Sequence, residues 1–235
     1  MKGATRYRQD STGFGDLTLT PRFWLLDPAA NPRGNIQFGI GVKCPTGDEG
    51  VKDLFPDING NNLMQRPVDV SIQPGDGGWG AAFDLNAFRD AGPARLFLSG
   101  TYLLNPRETN RTLSTPSVLL GASAVDPGIR YNSVADQYLL QGGVSLPLGD
   151  GWGGSVSVRW EGVPARDRIG GNDGWRRPGY AVSVAPGLTW TKGATTISLS
   201  VPVTTMRNRQ EDAEGRAGDA TFADWSILAG ITWRF

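Results

Sequence analysis

Histidine is absent from all 235 residues, and Cys44 is the only cysteine. Without an imidazole the chain cannot assemble a Ser-His-Asp triad, a Cys-His dyad or a histidine-ligated metal centre. A lone thiol excludes an intramolecular disulfide and leaves the redox compartment unmarked. Charge of one sign is missing too. The 23 Lys and Arg balance the 23 Asp and Glu, so there is no basic surplus to attract nucleic acid. No apolar run approaches the ~20 residues of a spanning helix, so a membrane location would require a barrel of strands. No carboxylate pair stands at a recognisable catalytic spacing. The expectation is a protein that is not an enzyme and uses neither cofactor nor metal. Met1 to Arg8 also lacks the apolar core and cleavage site of an export signal.

The 33 glycines and 16 prolines suit a fold of strands and turns, and the length suits one domain over residues 1–235. Period-2 alternation dominates, the mark of strands with two unlike faces. Nine segments carry it. The first places Leu17, Leu19, Pro21, Phe23 and Leu25 opposite Asp16, Thr18, Thr20 and Arg22. Others run over Ile36–Lys43, Trp79–Asn86, Arg95–Leu104, Gln137–Leu146, Trp152–Glu161, Tyr180–Trp190 and Ile197–Thr204. The last alternates from Asp224 to Phe235. Pro21, Pro186 and Pro202 fall inside these segments and predict bulges, because proline cannot donate to a ladder.

In a soluble sandwich the apolar face is the core; in a membrane barrel it meets lipid and the polar face lines the lumen. Two features favour lipid. The opposing faces are rich in Gly, Ser, Thr and Gln, and aromatic residues bracket the apolar ones: Trp152 and Trp160, Tyr180 and Trp190, Trp225 and Trp233. Eight to ten residues at ~3.3 Å each, tilted ~40°, rise roughly 20–25 Å, close to the apolar band of such a barrel. Trp79, Tyr102, Tyr138, Trp152, Trp160, Tyr180, Trp190, Trp225, Trp233 and Phe235 are the candidate girdle at the two interfaces. Link lengths agree. Short links near Asp27–Gly34, Asp90–Pro93, Gly149–Gly151 and Thr191–Ala194 alternate with long ones at Pro45–Gly75, Asn105–Asp136, Val163–Gly179 and Arg207–Ala220. Barrels of the outer membrane have short periplasmic turns and long outer loops. Nine strands with the first starting outside imply that at least one amino-terminal strand, with the export signal, is missing, and Ala4 to Arg8 would be its stub.

The candidate lumen residues are Asp16, Arg22, Lys43, Asp84, Asn86, Arg95, Arg159 and Glu161. Both signs occur, which fits either a transverse field or ion pairs that plug the passage. Arg166, Asp167, Arg168, Asp173, Arg176 and Arg177 stand in a Gly-rich segment that reads either as a loop folded inward to constrict the mouth or as a solvated loop. Asp57 to Asn61 opens like a calcium loop, but Asn62 and Val68 occupy positions that need Gly and Glu, so a turn-rich loop is expected. Gly75 to Gly80 is no phosphate cradle, since no helix pattern follows.

Gly13-Phe14-Gly15-Asp16-Leu17-Thr18-Leu19, then Gly41-Val42-Lys43-Cys44-Pro45-Thr46-Gly47-Asp48, then Gln73-Pro74-Gly75-Asp76-Gly77 resemble successive signatures of one family. It is the outer-membrane barrel family of transporters assigned to the meta-pathway of phenol degradation. The Glu161 to Tyr180 segment and terminal Trp233-Arg234-Phe235 are similar to its later parts. The resemblance implies an antiparallel up-and-down transmembrane β-barrel in a bacterial outer membrane, passing small solutes, hydrophobic or aromatic ones among them. Phe235 also resembles the signal read by the barrel-assembly machinery. Partners would then be outer-membrane lipid, that machinery and a small solute, with no nucleic acid. A non-conducting structural or binding barrel and a soluble β-sandwich binding module are the competing expectations.

Overall fold

A computed structural model describes residues 8–56, 61, 63–216, 218 and 220–234. Its main feature is one eleven-stranded antiparallel sheet that curls into a half-barrel and does not close. The sheet is built from β1 (Leu17–Leu19), β2 (Arg22–Trp24), β3 (Gly34–Cys44), β6 (Gly80–Ala91), β7 (Ala94–Leu104) and β10 (Gln137–Gly149). It continues through β11 (Trp152–Val163), β12 (Gly179–Lys192), β13 (Thr195–Ser200), β14 (Val203–Arg209) and β15 (Leu228–Trp233). β1 and β2 lie in line against β3, β13 and β14 in line against β12, and the rest follow one another side by side, which makes the sheet an up-and-down meander.

Proline explains why eleven strands make nine staves. Both β1 and β2 pair with β3, and Thr20-Pro21 separates them. Likewise β13 and β14 both pair with β12, parted by Val201-Pro202. Pro186 sits across from that second break. It keeps its place against Val156 in β11, while its carbonyl accepts from Val201 N at 3.0 Å. Two residues without an amide hydrogen thus share one gap, so the ladder loses less than if they were apart. The predicted bulges are therefore breaks at Pro21 and Pro202, Pro186 remains in register, and the sheet's register shifts lie at Leu148 and Thr205 instead.

At one end the staves are joined by tight links. Asp150 and Gly151 both have positive φ, 51° and 79°, the requirement of a type I′ hairpin. Gly92 and Gly193, with φ of 64° and 58°, open the other two-residue turns. At the opposite end the long links fold into structure of their own. β4 (Lys52–Phe55) pairs with β5 (Met64–Pro67), and β8 (Thr109–Leu113) with β9 (Tyr131–Ser133). Helix α1 (Thr115–Leu120) is capped by Ser114, whose side chain accepts from Ser117 N, and single 3-10 turns occupy Val70–Ile72 and Pro127–Ile129.

The polarity of the sheet is inverted relative to a water-soluble domain. Along β3, Ile36, Phe38, Ile40 and Val42 are exposed on the convex side, Ile40 to 58%. The residues between them, Asn35, Gly39, Gly41 and Lys43, are buried on the concave side. Leu96, Leu98, Leu140, Val156, Val158, Val184, Leu188, Ile197 and Leu199 continue the exposed apolar surface around the curve. Asp84, Ser157 and Ser183 continue the buried polar one. The buried apolar side chains of the described sheet are alanines, Ala82, Ala181 and Ala185. An ordinary core lies instead among the long loops, around Phe55, Val68 and Val134, the last fully buried.

Candidate functional site at the long-loop end

Three of the sequence signatures meet at the outer corner of β1 and β3. Asp16 accepts from Gly47 N at 2.8 Å with one oxygen and from Asp76 N at 3.1 Å with the other. Lys43, its side chain 3% exposed, lies 3.8 Å from Asp16 and is hydrogen-bonded to Asp76. Thr46 completes the knot, accepting from Leu17 N at 2.8 Å and donating to the Gly15 carbonyl at 3.1 Å. Glycine is required where the two loops cross. A Cβ on Gly75 would stand 2.5 Å from the Gly47 carbonyl carbon, and one on Gly47 2.7 Å from Gly75 Cα. Burial pushes the Asp76 carboxyl up from its ordinary range. The hydrogen bond and charge of Lys43 oppose that shift, and Asp16 reinforces it.

The Arg-rich segment forms the facing wall. Arg176 and Asp167 are each 1% exposed and joined at 2.5 Å. Arg176 also donates to Ser133 Oγ at 3.0 Å, and Asp167 accepts from Asp136 N at 2.9 Å. Backbone bonds lock this segment to β9: Trp175 N donates to the Tyr131 carbonyl at 2.7 Å and Ser133 N to that of Trp175 at 2.9 Å. Arg177 pairs with Asp69 at 2.8 Å, donates to Thr221 at 3.2 Å and lies 5.4 Å over the Trp175 ring. Asp69 accepts as well from Thr115 at 3.2 Å and from Ser71. Asp69 therefore ties three of the long links together, and Arg177 extends the tie to Thr221, just past the fourth. Burial would raise Asp69, but the Ser71 side-chain and backbone bonds, with Arg177 and Thr115, hold it below the usual carboxylate range.

Between these walls is a cavity of about 490 Å³. The inward residues Thr18, Lys43, Leu103, Gln137 and Val163 at the ends of five staves form its lower part. Loop residues around Pro74, Trp175 and Phe222 cover it. Of the segment expected to constrict the mouth, Arg176 and Arg177 reach this cavity. Arg166, Arg168 and Asp173 are exposed beside it, Arg166 donating to the Ala213 carbonyl at 3.3 Å and Arg168 N to Asp136 at 2.9 Å.

Further along the concave face the charges are paired with close neighbours. Arg22 donates twice to Asp84, at 2.6 and 3.0 Å, and Thr101 donates to the other Asp84 oxygen at 2.8 Å. Arg159 forks onto Glu161 at 2.6 and 2.9 Å. Arg95 grips Asp90 at 2.6 Å while stacking 4.6 Å from the Phe88 ring. Asn86 shares this face, opposite Ser99. The rings of Trp24 and Phe88, 6.0 Å apart edge to face, narrow the short-turn end, a contact the alternation pattern did not mark.

The convex aromatics form two bands. Tyr138, Trp160 and Tyr180 pack edge to face at 5.0 and 6.1 Å toward the long loops, with Tyr102 at the same level by register; Trp79 lies just before β6, and Trp225 lies opposite Val203, level with Val184 and Val158. Tyr102 Oη donates to Asp136 at 2.7 Å. Trp152 and Trp190, 6.3 Å apart, and Trp233 mark the short-turn level. Phe235 and most of the calcium-like Asp57–Asn61 stretch lie outside the described residues. Comparison with known protein families and with curated proteins gives no match to this chain.

Proposed function

We propose that this chain is a bacterial outer-membrane β-barrel protein acting as a passive channel for small solutes, related to the transporter family whose signatures it resembles. The observation that carries the reading is the inverted polarity. An exposed Leu, Ile or Val on a sheet face forgoes on the order of 1 kcal/mol in water, and here the forgone amount repeats on every stave. Hydrocarbon removes that penalty, and the two aromatic bands fall where interfaces would. The paired charges and the cap of long loops would set selectivity.

A membrane setting also constrains closure, since unpaired backbone groups are costly in lipid. β1–β2 and β15 are the edges of the sheet, and with nine staves between turns they run in the same direction. A closed ring therefore needs either a parallel seam or an odd number of further strands antiparallel to both edges. The charge pairs on the concave face also favour a second reading, a barrel that does not conduct, with outer loops that bind partners.

Detergent-folded protein, run unboiled and boiled on a gel and then reconstituted in a planar bilayer, tests the proposal. A mobility shift with a β-rich spectrum and discrete current steps is expected. A shift without steps would replace the channel by the non-conducting barrel. A monomer that is β-rich in plain buffer and shows no shift would replace both by a soluble sandwich.

A further inference from the structure

We infer that a second cavity, in the cap of long loops, binds a phosphate monoester carried on a polar body, such as a phosphorylated sugar. Its volume is about 530 Å³, in the range of small-ligand pockets. It lies between the β4–β5 pair, β8 and α1, and shares no lining residue with the mouth cavity. Among the described residues Lys52, Arg66 and Arg111 line it, and no acidic residue does. None of the three has an ion pair among the described residues. The acids nearest in sequence are engaged elsewhere. Asp53 lies opposite Arg66 in the ladder, yet its two oxygens accept from Asp10 N and Leu54 N at 2.8 and 2.7 Å. Asp48 accepts from Gly50 N at 2.7 Å, and the Glu49 carboxyl lies against Gly77.

The local structure holds two of these cations in place. Arg66 donates to the Val118 carbonyl at 2.6 Å and lies 5.9 Å over the Phe55 ring, contacts that fix the guanidinium without cancelling its charge. Arg111 has a φ of 68°, in the left-handed region that a side chain other than glycine rarely takes. It stands where β8 shifts register against β9, between Thr109 and Leu113. Its neighbour Thr112 is anchored on both sides, N donating to Asn110 Oδ1 at 2.9 Å and Oγ1 to the Glu49 carbonyl at 2.9 Å. Arg111 and Lys52 remain exposed at the rim. A phosphate dianion draws on all three positive charges, and its oxygens match the fork of a guanidinium. A monoanion would gain less, and a cation would be repelled. Gln65, Thr112 and Ser117 stand in the remaining lining, where they can meet the hydroxyls of a polar body.

The test is phosphorus NMR titration of glucose 6-phosphate with the full chain folded in a non-ionic detergent. Saturable binding is expected, weakened about tenfold in Arg111→Gln and in Lys52→Gln, the size of one charge-assisted hydrogen bond. Both side chains are exposed, so the β-rich spectrum should persist in each variant. Lys192→Gln removes the same charge from an exposed position at the short-turn end and should leave binding unchanged. Failure of the parent chain to saturate would overturn the site, as would equal weakening by Lys192→Gln and Arg111→Gln. The same phosphate chemistry is offered by a soluble ester and by a lipid headgroup, and phosphatidic acid added to the micelles separates them. Displacement of glucose 6-phosphate assigns the site to the headgroup and retention assigns it to the soluble ester, and either result keeps the site. Because the cavity lies apart from the passage, the presence or absence of current steps leaves this inference standing.

Discussion

The curled sheet and its cap of long loops follow opposite rules. In the sheet the run of large exposed apolar residues lies on the convex side, and the buried polar positions are Asn35, Lys43, Asp84, Ser157 and Ser183. In the cap, Phe55, Val68 and Val134 are buried, and charges such as Arg166, Arg168 and Asp173 face outward. One chain thus carries two polarities, divided at the level of Tyr102, Tyr138, Trp160 and Tyr180. A protein surrounded by water has no use for that division. A protein whose staves sit in hydrocarbon and whose loops sit in water requires it. The buried ion pairs differ in the same way. Arg176–Asp167 is closed off within the cap, whereas Arg22 remains half exposed on the concave face.

The comparison can be broken at the cap first. Arg176→Met leaves Asp167 buried without its cation, and is expected to cost the cap about 3–5 kcal/mol. Hydrogen exchange should rise in 105–136 and 164–178 while β10 to β12 stay protected. A collapse of the whole sheet would mean that cap and sheet are one cooperative unit.

The next effect sharpens the contrast between faces. Val158→Arg, at mid-stave on the convex side, should destabilise by about 2–4 kcal/mol in a bilayer. Leu54→Arg, equally exposed but in the cap, should stay within about 0.5 kcal/mol. Denaturant titration of both variants folded into vesicles measures the difference, and equal effects would erase the distinction between the two surfaces.

The smallest effect is in pH. Asp69 is held below the ordinary carboxylate range, and so is Asp212 through its bonds with Arg216 and Glu214, which outweigh its burial. Their stabilisation is complete above the ordinary value of about 3.9 and is lost as pH falls through their lower folded values. Asp76 is raised, so its corner gains stability as pH falls from neutral toward that ordinary range. Exchange around Asp69 and Asp212 should therefore quicken only below about pH 4, while exchange around Asp76 should slow as pH falls from neutral toward the ordinary carboxylate value of about 3.9. Uniform behaviour of all three segments would contradict these assignments.

How much of this could be read beforehand follows from the same division. All nine staves were legible, because a sheet with one lipid-like face writes strict alternation into the chain, as from Asn35 to Lys43. The four long and four short links were legible too. The internal fold of the loops was not. β4 and β5, β8 and β9, and α1 are short, polar and without a sustained period, and are held by contacts such as Ser114 Oγ to the Ile129 carbonyl at 2.6 Å and Arg66 to that of Val118 at 2.6 Å. The partners of Lys43 were hidden for another reason. Asp16 and Asp76 lie 27 and 33 residues away in sequence, and only the crossing of Gly47 with Gly75 brings them together. Arg176 and Arg177 could be singled out by composition, but not their separation from Arg166 and Arg168.

The most direct test of the central claim places a fluorophore on single cysteines at Val158 and Ser157, in a Cys44→Ser background, with the protein folded into bilayers. Bromine on the lipid chains is expected to quench the label at 158 strongly and the label at 157 weakly, while a water-soluble quencher reverses the order. Equal access of the aqueous quencher to both positions would contradict the assignment of the convex face to lipid, and with it the barrel.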